Sequence, residues 1–557
     1  MQHRLCVILE LGCIMKINLM KHIRNQFNWK DLLIVATYSF FFLILCKIFI
    51  DFTLDDAFIT FRYSQNLATG NGPVWNIGED PVEGYTTFLW MVLMAIFIKL
   101  GQNPVVISKV ISIIAGLSTI FLIYFYSRQK KDNRIIPTLV VAGIALNPAF
   151  AFMAVQGTGT ILASLLVLFI IILSIRLVSK YSKFETIIFS LLLLLAFLTR
   201  PDLIVFELLI IGCMIILLYR RYEKSTFYNF LLNLFIFLII PGFVYMAWRI
   251  NFFGYFFPNA FYVKKSEAFL SLSGLVMVFH YLTLVIGPYI ILALYSLIKT
   301  NLKKGQIQLK EYFPALISLF VFLTVYFFID PIQGFLYRFQ MPTLPSFLLL
   351  FSLCMPGISI PKIDLSMKPL KRGIKSAKLL RLFLILVLCS LIIVFPLHTM
   401  DDAISEKTEK TQFDRVVVGK ELAKLADKNY TMFVTESGAL PYYSKWKAVD
   451  HWGLNDEYIA HNGLTIEYLE IINPELIMAQ KHPQKSFKES LPIVHEFMVK
   501  NNYTAVAAIK RSEKRTHLYF SKPSVQEEIA ECILNIPVLE YRNIHLYVGD
   551  EIPVWRD

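Results

Sequence analysis

Eleven stretches of this 557-residue chain are apolar for long enough to be candidates for crossing a membrane, and that constrains the fold more than any single motif. They lie near residues 31–50, 104–127, 135–155, 159–178, 185–199, 203–219, 227–250, 275–298, 312–329, 338–355 and 379–397. A hydrocarbon core ~30 Å thick takes about 20 helical residues to cross, with shorter runs tolerated through tilt or local thinning. Only 17% of residues are charged against 56% hydrophobic, which excludes an ordinary soluble globular chain. The expectation is an α-helical polytopic membrane protein with about 11 transmembrane helices.

Charge sets the orientation. The apolar segment Phe88 to Leu100 is short for a crossing. Read as an interfacial or re-entrant helix, it leaves the loops beginning at Arg128, Arg176, Arg220, Lys299 and Lys362, all rich in Lys and Arg, on one side, which the positive-inside rule makes the cytoplasm. The loop 51–87 and everything after residue 397 then fall outside. The first thirty residues read as a signal anchor, since no small-residue cleavage site follows the first span.

The formal charge of +13 has a location. From residue 398 onward, 19 Lys and Arg stand against 24 Asp and Glu, a net of −5, so the membrane part carries +18. The basic balance is a topology signal, and no nucleic-acid partner is expected. The organisation is therefore a transmembrane domain over 1–397, with its first extracytoplasmic loop at 51–87 and interfacial helix at 88–100, followed by an extracytoplasmic soluble domain over 398–557. Charged helical patterns (GKELAKLADKN, SLPIVHEFMVKNN) alternate in that tail with β-rich runs (TMFVTE, TAVAAI, NIHLYVG), predicting a small α/β or α+β domain. Cys532 stands alone in it, so no disulfide framework and no CxxC metal spacing is available there.

The loop 51–87 concentrates acid: Asp51, Asp55, Asp56, Glu79, Asp80 and Glu83 against Arg62 alone. Carboxylates at the surface of a bilayer mark proton-abstracting or metal-binding chemistry. If Leu54 to Leu67 is helical, Asp55, Ile59 and Arg62 share one stripe and Asp56, Thr60 and Tyr63 the next. An acid and a guanidinium would converge there, suiting a phosphorylated donor clamped by Arg while Asp takes a proton from an attacking hydroxyl. The motif equally fits an Asp at a helix start with a solvated Arg further on.

The run DDAFITFRYSQNLATGNGPVWNIGEDPVEGYTTFLW strongly resembles the first extracytoplasmic loop of GT-C membrane glycosyltransferases, of the branch that includes terminal arabinofuranosyltransferases. LTRPD with Arg200 and Asp202, NFFGYFFPNAFYVKK with Pro258, Asn259, Tyr262, Lys264 and Lys265, LYRFQMPTLP with Arg338, and ESGALPYYSKWKAVDHWGLND in the tail are similar to that family in the same order. Arg62, Arg200, Arg249, Lys264, Lys265 and Arg338 all fall on the outer side of the charge-derived topology, against the positive-inside bias. A lipid-linked phosphate gives such cations a reason to be there; snorkelling or pairing with a neighbour is the alternative. Two departures stand out: QGTGT puts Gly159 where the family shows an acid, and FFIDPIQG leaves Asp330 in place of Gly-Gly-Asp-Trp.

The resemblance implies an inverting transfer of a sugar, with a pentofuranose favoured, from a polyprenyl-phosphate donor to an envelope glycan or glycolipid, at the outer face of the cytoplasmic membrane and among its lipids. Asp55 or Asp56 is the expected base, Arg62, Arg200, Lys264 and Arg338 the donor-phosphate ligands, and Glu83, Tyr85, Asp202 and Asn259 the further substrate contacts. A divalent cation bridging Asp55, Asp56 and the phosphate is the one cofactor considered. Competing readings are a transporter or flippase of lipid-linked substrates, and a non-catalytic envelope-assembly relative, which the loss of an acid at Gly159 keeps open.

Overall fold

The computed structural model describes residues 28–131, 134–263, 270–291, 309–328, 334–354, 399–408, 413–481, 485–512, 515–534, 536 and 545–547. The signal-anchor residues before 28, the pair Lys264 and Lys265, Asp330 and the apolar run 379–397 lie outside the described residues.

Among the described residues, six helices are long and apolar enough to cross a membrane: Trp29–Phe49, Pro104–Gln129, Thr160–Ser179, Pro201–Arg221, Lys224–Phe253 and Leu272–Ile291. A seventh span exists if Ile135–Ala145 and Pro148–Val155, bent by 52° at their junction, are one crossing. The chain is thus a multi-pass membrane protein, but the expectation of about eleven transmembrane helices is corrected to six or seven among the described residues. Hydropathy counts apolar residues, whereas a crossing needs unbroken helix rising 1.5 Å per residue. The run 135–155 breaks because the Asn147 side chain caps a new helix through the Phe150 N–H and Pro148 cannot donate to the turn before it. The runs at 185–199 and 338–355 form helices of only 17 residues, Lys183–Thr199, and 11 residues, Leu344–Cys354. Phe88–Lys99 is likewise a short apolar helix of 12 residues.

Small residues bring the helices together. Gly116 lies so close to the Phe42 ring that an added Cβ would stand 2.5 Å from it. At one end of the bundle the buried Asp31 carboxylate accepts from Tyr124 and from Arg134, each at 2.7 Å, so an acid among apolar helices is fully partnered.

In the tail a six-stranded mixed sheet runs in the order β2-β1-β3-β5-β4-β6, with β1 Thr431–Val434, β2 Lys447–Asp450, β3 Leu476–Lys481, β4 Thr504–Ser512, β5 Arg515–Ser521 and β6 His545–Tyr547. β2, β1 and β3 are parallel; the other pairings are antiparallel. The first loop covers the exposed edge of β2. The Asn76 side chain accepts from the Ala448 N–H and donates to the Ala448 carbonyl, each at 3.1 Å, and Trp75 donates to that same carbonyl at 2.7 Å. A side-chain amide thus takes the place of a neighbouring strand at Ala448.

Candidate active site

The helix Asp55–Ala68 begins where Leu54 donates its N–H to the Gln156 carbonyl at 2.9 Å, which pins the acidic pair beside the start of Thr160–Ser179. Its first two residues then go different ways. Asp55 accepts from the backbone N–H groups of Gly438, at 2.8 Å, and Ala439, at 3.0 Å, in the tail. The fully buried Arg415 lies 3.6 Å from the same Asp55 oxygen that accepts from Ala439 and also pairs with Glu436. Asp55 is therefore the knot between loop and tail. Asp56, with 30% of its side chain exposed, accepts from Arg338 at 3.0 Å.

Arg338 follows Leu336 and Tyr337, two consecutive non-glycine residues in the left-handed region at φ 51° and 57°. Such backbone costs about 1–3 kcal/mol per residue and persists where the surroundings enforce it, often at functional sites. Here it turns the chain so that Arg338 reaches Asp56. The next residue, Phe339, lies between two guanidinium groups: those of Arg338 and Arg200 each stand 5.8 Å from its ring centre. Arg200 forms a two-pronged pair with Asp202, at 3.1 and 2.6 Å, and Tyr326 donates to that carboxylate at 2.6 Å. Asp56, Arg338, Arg200 and Asp202 thus form one contiguous polar strip. Sequence patterns gave no sign of Phe339 or Tyr326, although Phe339 sits inside the quoted LYRFQ run.

The other expected site residues lie elsewhere. Arg62 is buried, stacked 4.5 Å from the Trp75 ring, and its nitrogens donate to the carbonyls of Trp75, Pro441 and Trp446 and to Asn76, at 2.7–2.8 Å. Burial pulls its guanidinium down to about 10. This is a tie between loop and tail, with its donors engaged by protein acceptors. Glu83 is buried in an ion pair with Arg249, and burial raises its carboxyl above the usual range despite that partner. Tyr85 packs edge-on against Tyr63 at 4.8 Å, and Asn259 donates its N–H to the Glu83 carbonyl at 3.1 Å and its amide to Gly453 in the tail at 3.3 Å. These three hold the loop against the Arg249 end of Lys224–Phe253. Lys264 is outside the described residues.

Gly159 has a structural account. Its φ of 71° is left-handed, and a Cβ would meet the Trp90 ring at 2.8 Å. Trp90 in turn donates its indole N–H to the Gly157 carbonyl at 2.9 Å. An indole fills the space where the resemblance places an acid.

Two solved structures share this architecture. The crystal structure of ArnT from Cupriavidus metallidurans bound to undecaprenyl phosphate is similar with a TM-score of 0.56 at 13% identity, over 88% of this chain and 97% of that one. The apo form gives 0.52 at 14% identity, with the same coverage. The chain has the fold of ArnT. Residues 403–523 match a family model described as a domain of unknown function (DUF8728), and no curated protein matches the chain.

Both carboxylates of the acidic pair are engaged by protein groups. Each carboxylate faces a guanidinium, Asp55 that of Arg415 and Asp56 that of Arg338, and Asp55 further accepts from two backbone N–H groups. Among the described residues no three His, Cys, Asp or Glu side chains gather into a metal-holding group.

Proposed function

We propose that this chain transfers a sugar from a polyprenyl-phosphate donor to an envelope glycan or glycolipid at the outer face of the cytoplasmic membrane, with inversion at the anomeric carbon. The observation that carries the reading is the strip Asp56–Arg338–Phe339–Arg200–Asp202, in which two acids and two guanidinium groups line up within a fold shared with a protein crystallised with undecaprenyl phosphate.

Arg338 donates to Asp56 through Nη1, and a guanidinium has five donor N–H groups in a planar fork. A donor phosphate would bind that fork, and Arg200 behind Phe339 adds a second positive charge. Arg338 engages the phosphate, and Asp56 accepts the proton of the acceptor hydroxyl. The hydroxyl oxygen attacks the anomeric carbon, the bond from that carbon to the phosphate oxygen breaks, and the phosphate departs with the electron pair. Phosphate is already a good leaving group, so the protein's work is positioning, proton acceptance and charge neutralisation. No step is routed through a metal. Asp55 and Arg62, first read as base and phosphate ligand, are given the task of fixing the loop to the tail.

Binding of undecaprenyl phosphate to purified protein in nanodiscs tests the phosphate role. Arg338→Ala is expected to weaken it by about 10- to 100-fold, the worth of a charge-assisted contact. Unchanged affinity would remove Arg338 from the donor site.

A further inference from the structure

The membrane-crossing helix Lys224–Phe253 carries large apolar side chains that no protein covers: Phe243 is 72% exposed and Val244 61%. Hydrocarbon is their solvent. The helix ends at Gly254, φ 80°, whose N–H donates to the Ile250 carbonyl at 2.9 Å, and the sequence that follows, YFFPNAFYV, is again apolar and aromatic.

That segment is folded back on the end of the helix. Arg249, in the last turns of the helix, donates through Nη1 to the Phe256 carbonyl at 2.6 Å. Its three phenylalanines then form one cluster, Phe257 stacked on Phe261 at 4.2 Å and meeting Phe256 edge-on at 4.9 Å. Packing on one another does not bury them: Phe256, Phe257 and Phe261 are 58%, 41% and 51% exposed. A contiguous set of exposed rings marks a contact surface. The tie through Arg249 names the partner, because it sets the rings at the end of a lipid-facing helix, where hydrocarbon gives way to headgroups and where interfacial segments bury Phe, Trp and Leu.

The same segment grips the tail. The Tyr255 hydroxyl donates to the Glu457 carboxylate at 2.6 Å, and the rings of Tyr255 and Tyr262 each pack 4.5 Å from the His461 ring. Glu457 and His461 both belong to the tail helix Glu457–Asn462. Asn259 adds its amide to the Gly453 carbonyl, just before that helix, at 3.3 Å. Ten residues therefore join a membrane-crossing helix, an exposed ring cluster and one end of the tail domain.

We infer that residues 254–263 are an interfacial foot: Phe256, Phe257 and Phe261 bury in bilayer phospholipid, and Tyr255 and Tyr262 seat the tail domain on the membrane surface. Full-length protein, one copy per nanodisc, in phospholipid brominated on its acyl chains and free of polyprenyl lipid, tests the first half. Phe256→Trp and Phe261→Trp each add an indole whose emission, taken as the difference from wild type, is expected to be quenched relative to the same lipid without bromine. Unquenched emission overturns the inference. So does emission that responds only when undecaprenyl phosphate is added, which would give the rings to the donor lipid. Hydrogen exchange in nanodiscs tests the second half with the triple variant Phe256→Ser, Phe257→Ser, Phe261→Ser, which keeps both tyrosines. Exchange in Glu457–Asn462 is expected to quicken several-fold while strands β3 and β5 keep wild-type protection. Unchanged exchange in Glu457–Asn462 removes the seating role.

Discussion

Arg338 donates to the Asp56 carboxylate across 3.0 Å, joining the first turn of the loop helix to a residue 282 positions further along the chain. The neighbouring Asp55 faces the tail instead, accepting from Gly438 and Ala439. Two adjacent aspartates therefore do different work. Asp55→Ala strands two backbone N–H groups and leaves Arg415 without one of its carboxylate neighbours. It is expected to lower stability by about 1–3 kcal/mol, read as a fall in the unfolding midpoint of detergent-solubilised protein, while the protein that remains folded still binds undecaprenyl phosphate.

Arg62 makes four hydrogen bonds at the loop–tail junction. Arg62→Met leaves buried carbonyls unpaired and is expected to cost about 3 kcal/mol or more. Arg62→Lys should not restore it, since an ammonium lacks the planar fork. The discriminating measurement is lipid binding by the folded fraction: unchanged affinity fits a structural tie, and a large loss would return Arg62 to the phosphate.

Adding a side chain at Gly159 meets both a left-handed backbone and the Trp90 ring. Gly159→Ala is expected to destabilise by about 1–3 kcal/mol, and Trp90→Leu in the same protein to recover the steric part. Thermal melts of the two single variants and the double variant measure that coupling.

The tail carries two neighbouring groups with opposite pH signs. Burial pulls the His451 imidazole down to about 4, so between pH 6.5 and 4 the unfolded chain binds more protons and stability falls on acidification, by up to about 1.4 kcal/mol per pH unit. Burial pushes Asp450 up to about 6, so between its ordinary value of 3.8 and about 6 the folded state binds more protons and acidification stabilises. His451→Gln removes the first contribution and leaves the second. Melting curves from pH 6.5 to pH 4 should therefore show the variant gaining stability relative to wild type as the pH falls.

Arg200 and Arg338 stood out in the sequence because cations beside prolines at the ends of apolar runs need a reason to be there, and Asp56 because acid is concentrated in its loop; the fold brings them, with Asp202, into one strip. The different fates of Asp55 and Asp56 were not legible, since the groups that hold Asp55 lie 383 and 384 residues away and no local periodicity encodes them. Arg62 misleads for the same reason: its stripe-mate on the helix is Asp55, but its partners at Pro441 and Trp446 belong to the tail. Glu83, expected among the substrate contacts, is held by Arg249, 166 residues on, a pairing no local pattern encodes. The span count fails at Asn147 and Pro148, where an apolar composition continues but the helix does not.

The central claim is that Asp56 accepts the acceptor's proton while Arg338 holds the donor phosphate. Transfer of radiolabelled sugar from a polyprenyl-phosphate donor to envelope glycan, by purified protein in proteoliposomes, tests it most directly when wild type is set beside Asp56→Asn. The account expects transfer by wild type and a loss of about 10²- to 10⁴-fold in kcat for the variant, with its unfolding midpoint preserved. Transfer by Asp56→Asn at the wild-type rate would contradict it.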